Sequence, residues 1–179
     1  MSEKKNAFFQ DMFKPFLVLV VICLVVAALL AWVNGLTAPV IADNAAKEAE
    51  ANRMAVLPTA TGFSEVDASA YAESGVTGIY ADEGGAGYVI TAEAYGYKGN
   101  VIVTVGFDAE GNVLDVIANV STETVGIGTK AADPAYLGQF KGLSGSAGDV
   151  DTISGATYST GAVRTAVNAA MAACEGIRG

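Results

Sequence analysis

From Phe16 to Val33 the sequence runs for eighteen residues without a charge and almost without a polar side chain. No other feature limits the architecture as strongly. At 1.5 Å per residue, a helix over that run is about 27 Å long, close to the hydrocarbon thickness of a bilayer. The charge-free stretch continues to Ala42. A cleaved signal peptide is the competing reading, but its apolar region is roughly 7–15 residues long. Val40-Ile41-Ala42, which has the form of a cleavage site, also comes late. The expectation is an uncleaved anchor, in keeping with 52% hydrophobic and only 16% charged residues.

The flanks orient it. Lys4, Lys5 and Lys14 precede the run, and the next basic residue is Lys47. The positive-inside rule then puts the N-terminus in the cytoplasm and the remainder outside. Trp32 suits the outer interface. Cys23, within the run, reads as a small buried hydrophobe or a helix-contact residue. The expected organisation is a cytoplasmic N-terminus (1–15), a transmembrane helix (16–36), a juxtamembrane helix (37–58) ended by Pro58, and one extracytoplasmic domain (59–179).

That outer part is acidic. From Asp43 on it holds 17 of the 19 acidic residues but only 7 of the 10 basic ones, a formal charge of −10. Such a surface disfavours nucleic acid and anionic lipid faces. Residues 59–75 read as loop. Beyond them the period changes to two: Thr77–Ala81, Gly87–Tyr95, Val101–Phe107 and Val113–Val120 read as strands. The turns between them are short, and Gly111 is available for positive φ in the last. Strands in sequence with short turns make an antiparallel meander. Pro134–Phe140 reads as a short helix or turn, and 142–148 as a flexible Gly/Ser loop. Val163, Val167, Ala170, Met171 and Cys174 then form one apolar stripe of a final helix, with Gly176 as its C-cap. The class is α+β.

Chemistry concentrates at Asp151-Thr152-Ile153-Ser154-Gly155-Ala156-Thr157, just before that helix. Thr157 to Thr160 lie at its N-terminus, where unpaired amides and the positive end of the helix dipole favour a phosphate. Gly155 and Ala156 let a bulky group approach the backbone. The alternative is a Ser/Thr-rich helix cap that binds nothing.

The run D-x-x-S-G-A-T closely resembles the flavinylation motif of FMN-binding subunits in two related ion pumps. These are the Rnf ferredoxin:NAD oxidoreductase and the sodium-pumping NADH:quinone oxidoreductase. The stretch from Tyr95 to Val113 and the run Glu123-Thr124-Val125-Gly126-Ile127-Gly128 are also similar to that family, with Val125 where relatives commonly have Pro. The resemblance implies FMN joined through its phosphate to Thr157. It implies a dedicated transferase reading Asp151, Ser154, Gly155, Ala156 and Thr157, with Ser154 to Ala156 also beside the cofactor. It places the loop bearing Glu123, Thr124, Gly126 and Gly128 beside the flavin, with Lys130 near enough to offset charge. It further implies an electron-transfer subunit of a redox-driven Na+ or H+ translocase, with other membrane subunits as partners. Compactness favours the Rnf-type complex over its quinone-reducing relative. A membrane-tethered interaction domain without redox chemistry is the reading from another class.

Absences narrow the field. Without histidine, a Ser-His-Asp triad, an imidazole base and a His-ligated metal are excluded. Two cysteines without C-x-x-C give neither a disulfide framework nor a metal cluster. No P-loop and no G-x-G-x-x-G occur. The chain lacks groups for hydrolysis, no catalytic side chain is expected, and a redox cofactor would bring its own chemistry.

Overall fold

The computed structural model describes residues 2–148 and 150–179, with side chains from Phe13 on. The Lys4 and Lys5 side chains, used above for orientation, therefore lie outside the described residues. The chain forms two compact units, Met1–Glu48 and Ala49–Gly179.

Helix α1 (Ser2–Val56) is one continuous helix where separate transmembrane and juxtamembrane helices are expected. Pro39 lies inside it rather than opening a second one. A proline there costs one intrahelical hydrogen bond. Nearby, the Thr37 hydroxyl donates to the Val33 and Asn34 carbonyls at 3.1 and 3.4 Å. From Phe13 the helix is long and apolar enough to cross a membrane. Leu17, Leu24, Leu30 and Trp32 are exposed along it, an arrangement unfavourable in water and matched by lipid. Cys23 is exposed as well, since the chain itself covers no described part of the apolar stretch.

In the second unit, five strands form one antiparallel meander in sequence order. They are β1 (Phe63–Val66), β2 (Val76–Asp82), β3 (Gly87–Tyr95), β4 (Asn100–Asp108) and β5 (Val113–Asn119). Strand β1 and a 3-10 turn at Ser69–Ser74 occupy the stretch expected to be loop. The strand is short and half-exposed at the sheet edge, so no run of apolar residues marks it. Register aligns Ile79, Ile90, Val105 and Val116 across four strands. Such a row of β-branched neighbours is what stabilises a sheet face.

Helix α3 (Thr157–Arg178) covers that face with Val163, Val167, Ala170, Met171 and Cys174, all buried. The α+β class, with an antiparallel sheet and a C-terminal helix, is as the sequence implies. Gly176, however, does not cap α3, which continues to Arg178 with Gly179 as C-cap. Instead, its missing Cβ makes room for the Tyr71 hydroxyl. The opposite sheet face is covered by the end of α1. Val56 and Leu57 are buried there with Val89, beside Phe63, Tyr80 and Ile117. Gly106 permits this, since a Cβ would strike the Val56 carbonyl.

The short helix α2 (Pro134–Leu137) fastens the start of α3. Asp133 caps it, Tyr136 meets Phe140 edge-to-face at 5.5 Å, and the Tyr136 hydroxyl donates to the Thr160 carbonyl at 2.8 Å. Burial pushes that phenol up to about 12.

Candidate functional site

The β3–β4 turn, the loop after β5 and the first turn of α3 converge on a cleft of about 470 Å³. A volume of this size suits a small-molecule ligand. Its walls are Tyr97, Lys98, Glu123, Thr124, Ile127, Gly128, Gly155, Ala156, Tyr158 and Ser159.

Glu123 ties the three segments together. It is 4% exposed. One carboxylate oxygen accepts from the Tyr97 and Lys98 amides at 2.9 and 3.1 Å, and the other from the Ser159 hydroxyl. Burial raises its pKa, but the bonds from Ser159, Lys98 and Tyr97 outweigh that and hold the carboxyl below its ordinary value. Glycine makes the space. A Cβ on Gly96 would lie 2.6 Å from Glu123 Oε1, and one on Gly128 would lie 2.7 Å from Ser159 Oγ and 2.8 Å from Glu123 Oε2. A charge buried with so many donors is ionised, and it fixes whatever those donors belong to.

The loop from Glu123 to Gly128 turns on itself. The Thr124 carbonyl accepts from the Ile127, Gly128 and Thr129 amides. The Gly126 amide donates to Thr129 Oγ1 at 2.9 Å, and Gly126 sits at φ 79°. These amides are committed within the loop. Gly128 therefore reaches the cleft as a wall, not as a donor, and Gly126 does not line it. Val125, which stands where relatives of the motif carry Pro, is 87% exposed. Lys130 is exposed and outside the cleft walls.

On the other wall, Ser154 and Asp151 are exposed and outside the lining. Gly155 adopts φ 83°, with open space where a Cβ would point. Here glycine is needed for its backbone alone. Ala156 is the N-cap of α3, and no side chain caps the helix. The Ser/Thr residues are thus not spent as caps, and the first amides keep no intrahelical partner. Thr157, the first helical residue, is exposed. It lies between Ala156 and Tyr158, which both line the cleft. The Thr160 hydroxyl is buried and back-bonded to the Ala156 carbonyl at 2.9 Å.

The approach loop is more firmly held than its composition implies. Ala147 is fully buried, its amide donates to Asn168 Oδ1 at 2.8 Å, and Arg164 reaches the Val150 carbonyl at 3.3 Å. Cys174 is no nucleophile, since burial pushes its thiol up to about 11. No metal-binding cluster occurs among the described residues.

Of the residues singled out from sequence, Glu123, Thr124, Gly128, Gly155 and Ala156 come together in the cleft. Tyr97, Lys98, Ile127, Tyr158 and Ser159 line it without having been singled out. Tyr97 lies in a Gly-flanked turn and Tyr158 directly follows the motif, and those neighbours are the only signal in the sequence that could have found them.

Residues 96–172 match a family model described as an FMN-binding domain. Residues 1–56 match one described as the RnfG N-terminal region. No curated protein matches the chain. The cleft fits a flavin on its own terms: aromatic and aliphatic walls suit a flat ring, and an uncapped helix N-terminus beside them suits a phosphate.

Proposed function

We propose that this chain, which belongs to the RnfG family of FMN-binding subunits and is a single-pass membrane protein, carries its FMN covalently on Thr157. The observation that carries the proposal is the setting of Thr157. Its side chain is exposed to an external transferase, its helix N-terminus has no side-chain cap, and both its neighbours line the cleft. A phosphoester there places the phosphate at the positive end of α3, worth about 0.3–1 kcal/mol when exposed.

FMN, when bound, supplies a ring that takes up and releases electrons. The chain's part is to hold that ring and shape its surroundings. Thr157 is an attachment point and not a base. Glu123 fixes the cleft walls, and Ile127, Ala156 and the tyrosines exclude water from part of it. The covalent bond prevents loss of the cofactor on the open side of the membrane. α1 keeps it near the other subunits of the membrane complex that the family implies. The fuller reading is an extracytoplasmic flavin domain, N-terminus in the cytoplasm, passing electrons within an Rnf-type ferredoxin:NAD oxidoreductase that drives Na+ or H+ outward. Asp151, Ser154, Gly155 and Ala156 are read as the strip the transferase recognises.

Intact mass of the denatured full-length chain, made in membranes with a flavin transferase, tests the linkage. The expected gain is one FMN less water, with in-gel fluorescence, both absent in Thr157→Ala. No gain in the wild-type chain beside an active transferase would overturn the proposal and leave a tethered interaction domain ahead.

A further inference from the structure

Tyr97 and Tyr158 are 63% and 73% exposed. Single exposed aromatics are ordinary, but two that line one cleft make a contiguous apolar patch, which marks a binding surface. Both line the cleft, and the two rings lie against each other, with centroids 6.2 Å apart and planes inclined by 45°. Their hydroxyls make no hydrogen bond among the described residues, so polar contacts of the phenols do not explain the pairing.

What holds the pair is beneath it. Glu123 accepts from the Tyr97 amide through one oxygen and from Ser159, the neighbour of Tyr158, through the other. Among the described residues no cation is within salt-bridge distance of Glu123. A turn and a helix start can be made without burying a charge, which is costly. The specific effect of burying this one is to fix the backbone under both rings. Gly96 and Gly128 are the clearances that allow it.

We propose that Tyr97 and Tyr158 form an aromatic platform for the isoalloxazine of the flavin on Thr157, with Glu123 as the positioning residue that sets the platform. This rests on the attachment proposed above. Tyr158 directly follows the attachment residue, so the tether delivers the ring to the platform at high effective concentration. Flat aromatic faces prefer offset or inclined contacts, which two mutually inclined rings provide.

Flavin fluorescence reads the contact. A tyrosine against an excited flavin gives it an electron and takes it back, which dims the emission without net chemistry. The full-length chain is flavinylated and purified, and its occupancy is fixed by intact mass. Emission per flavin is then compared before and after unfolding. In wild type the folded protein is expected to be severalfold dimmer than the unfolded one. Tyr97→Leu and Tyr158→Leu each recover part of the loss, and the double variant recovers nearly all. Glu123→Gln brightens the folded protein at an unchanged FMN mass gain, because its amide cannot accept all of the same bonds, while both tyrosines remain. Equal dimming in wild type and the double variant, or none in wild type, at full occupancy would overturn the platform. Both tyrosine changes are at exposed positions, so the test survives even if Glu123→Gln fails to fold. Absence of any mass gain in wild type would instead be the failure of the attachment itself.

Discussion

Two acids solve the same problem at two places in the second unit, with different consequences. Asp82, 7% exposed at the end of β2, accepts from the Ala86 and Thr61 amides at 2.8 Å each. Glu123 accepts from the Tyr97 and Lys98 amides and the Ser159 hydroxyl. Each has a glycine whose missing Cβ clears its carboxylate: Gly84 for Asp82, Gly128 for Glu123. Asp82 joins the segment before β1 to the β2–β3 turn, away from the cleft. Glu123 joins three segments that are the cleft. The same chemistry therefore serves stability alone in one region and the geometry of a site in the other.

The sharpest way to break this comparison is to fill both clearances. Valine at Gly84 or at Gly128 overpacks a fitted site, at about 1–3 kcal/mol. Thermal melts of both variants are expected to fall. Only Gly128→Val is expected to disturb the flavin as well, raising its emission per flavin in the folded protein. A Gly84→Val protein whose flavin brightens as much would abolish the distinction.

Acid separates the two next. The Ala86 amide, with Thr61 and Gly62, draws the Asp82 carboxyl down from 3.8 to about 2 against the opposing effect of burial. Its folded pKa lies below its unfolded one, so the stability it gives is complete above 3.8 and is lost as pH falls towards 2. Denaturant melts across that window should show the gap between wild type and Asp82→Asn closing as pH drops. Glu123 is also lowered, so Glu123→Gln should show the same sign. A gap that widens on acidification would contradict both.

A smaller effect is expected at Gly155. Its φ of 83° with open space around it means alanine meets strain and no clash, at about 1–2 kcal/mol. Because that strain sits two residues before Thr157, Gly155→Ala should lower the yield of flavinylated protein more than it lowers the melting temperature. Full flavinylation alongside a clear loss of stability would place the role of Gly155 in folding instead.

The sheet was legible because alternation and turn residues are local. Gly87–Tyr95 alternates over the whole of β3, and the turn around Gly111 closes as a hairpin between Asp108 and Asn112. Strand β1 was not legible, since Phe63-Ser64-Glu65-Val66 is strand only through its pairing with β2. The site was half legible for the same reason. Gly155 and Ala156 stand in a recognisable run, and Glu123 in another. Which atoms Glu123 would bind depends on a turn 25 residues earlier and a helix 36 residues later. The pairing of Tyr97 and Tyr158 depends in turn on Glu123, so no local pattern contains it.

Gly176 shows how one residue type misleads, and it gives the smallest expected effect. Glycine near a helix end signals a C-cap because it enters positive φ freely. Here it is helical, and its value is the space it leaves beneath the Tyr71 hydroxyl. Tyr71 is half-buried, and only its far end meets the helix at this point, so it can swing aside. Alanine also gains helix propensity over glycine, by about 1 kcal/mol. The two terms oppose each other, and Gly176→Ala should shift stability by no more than about 0.5 kcal/mol in chemical denaturation. A large loss would mean that Tyr71 is held as firmly as the residues around Glu123. The division between a fixed site and an adaptable periphery would then have to be redrawn at that end of α3.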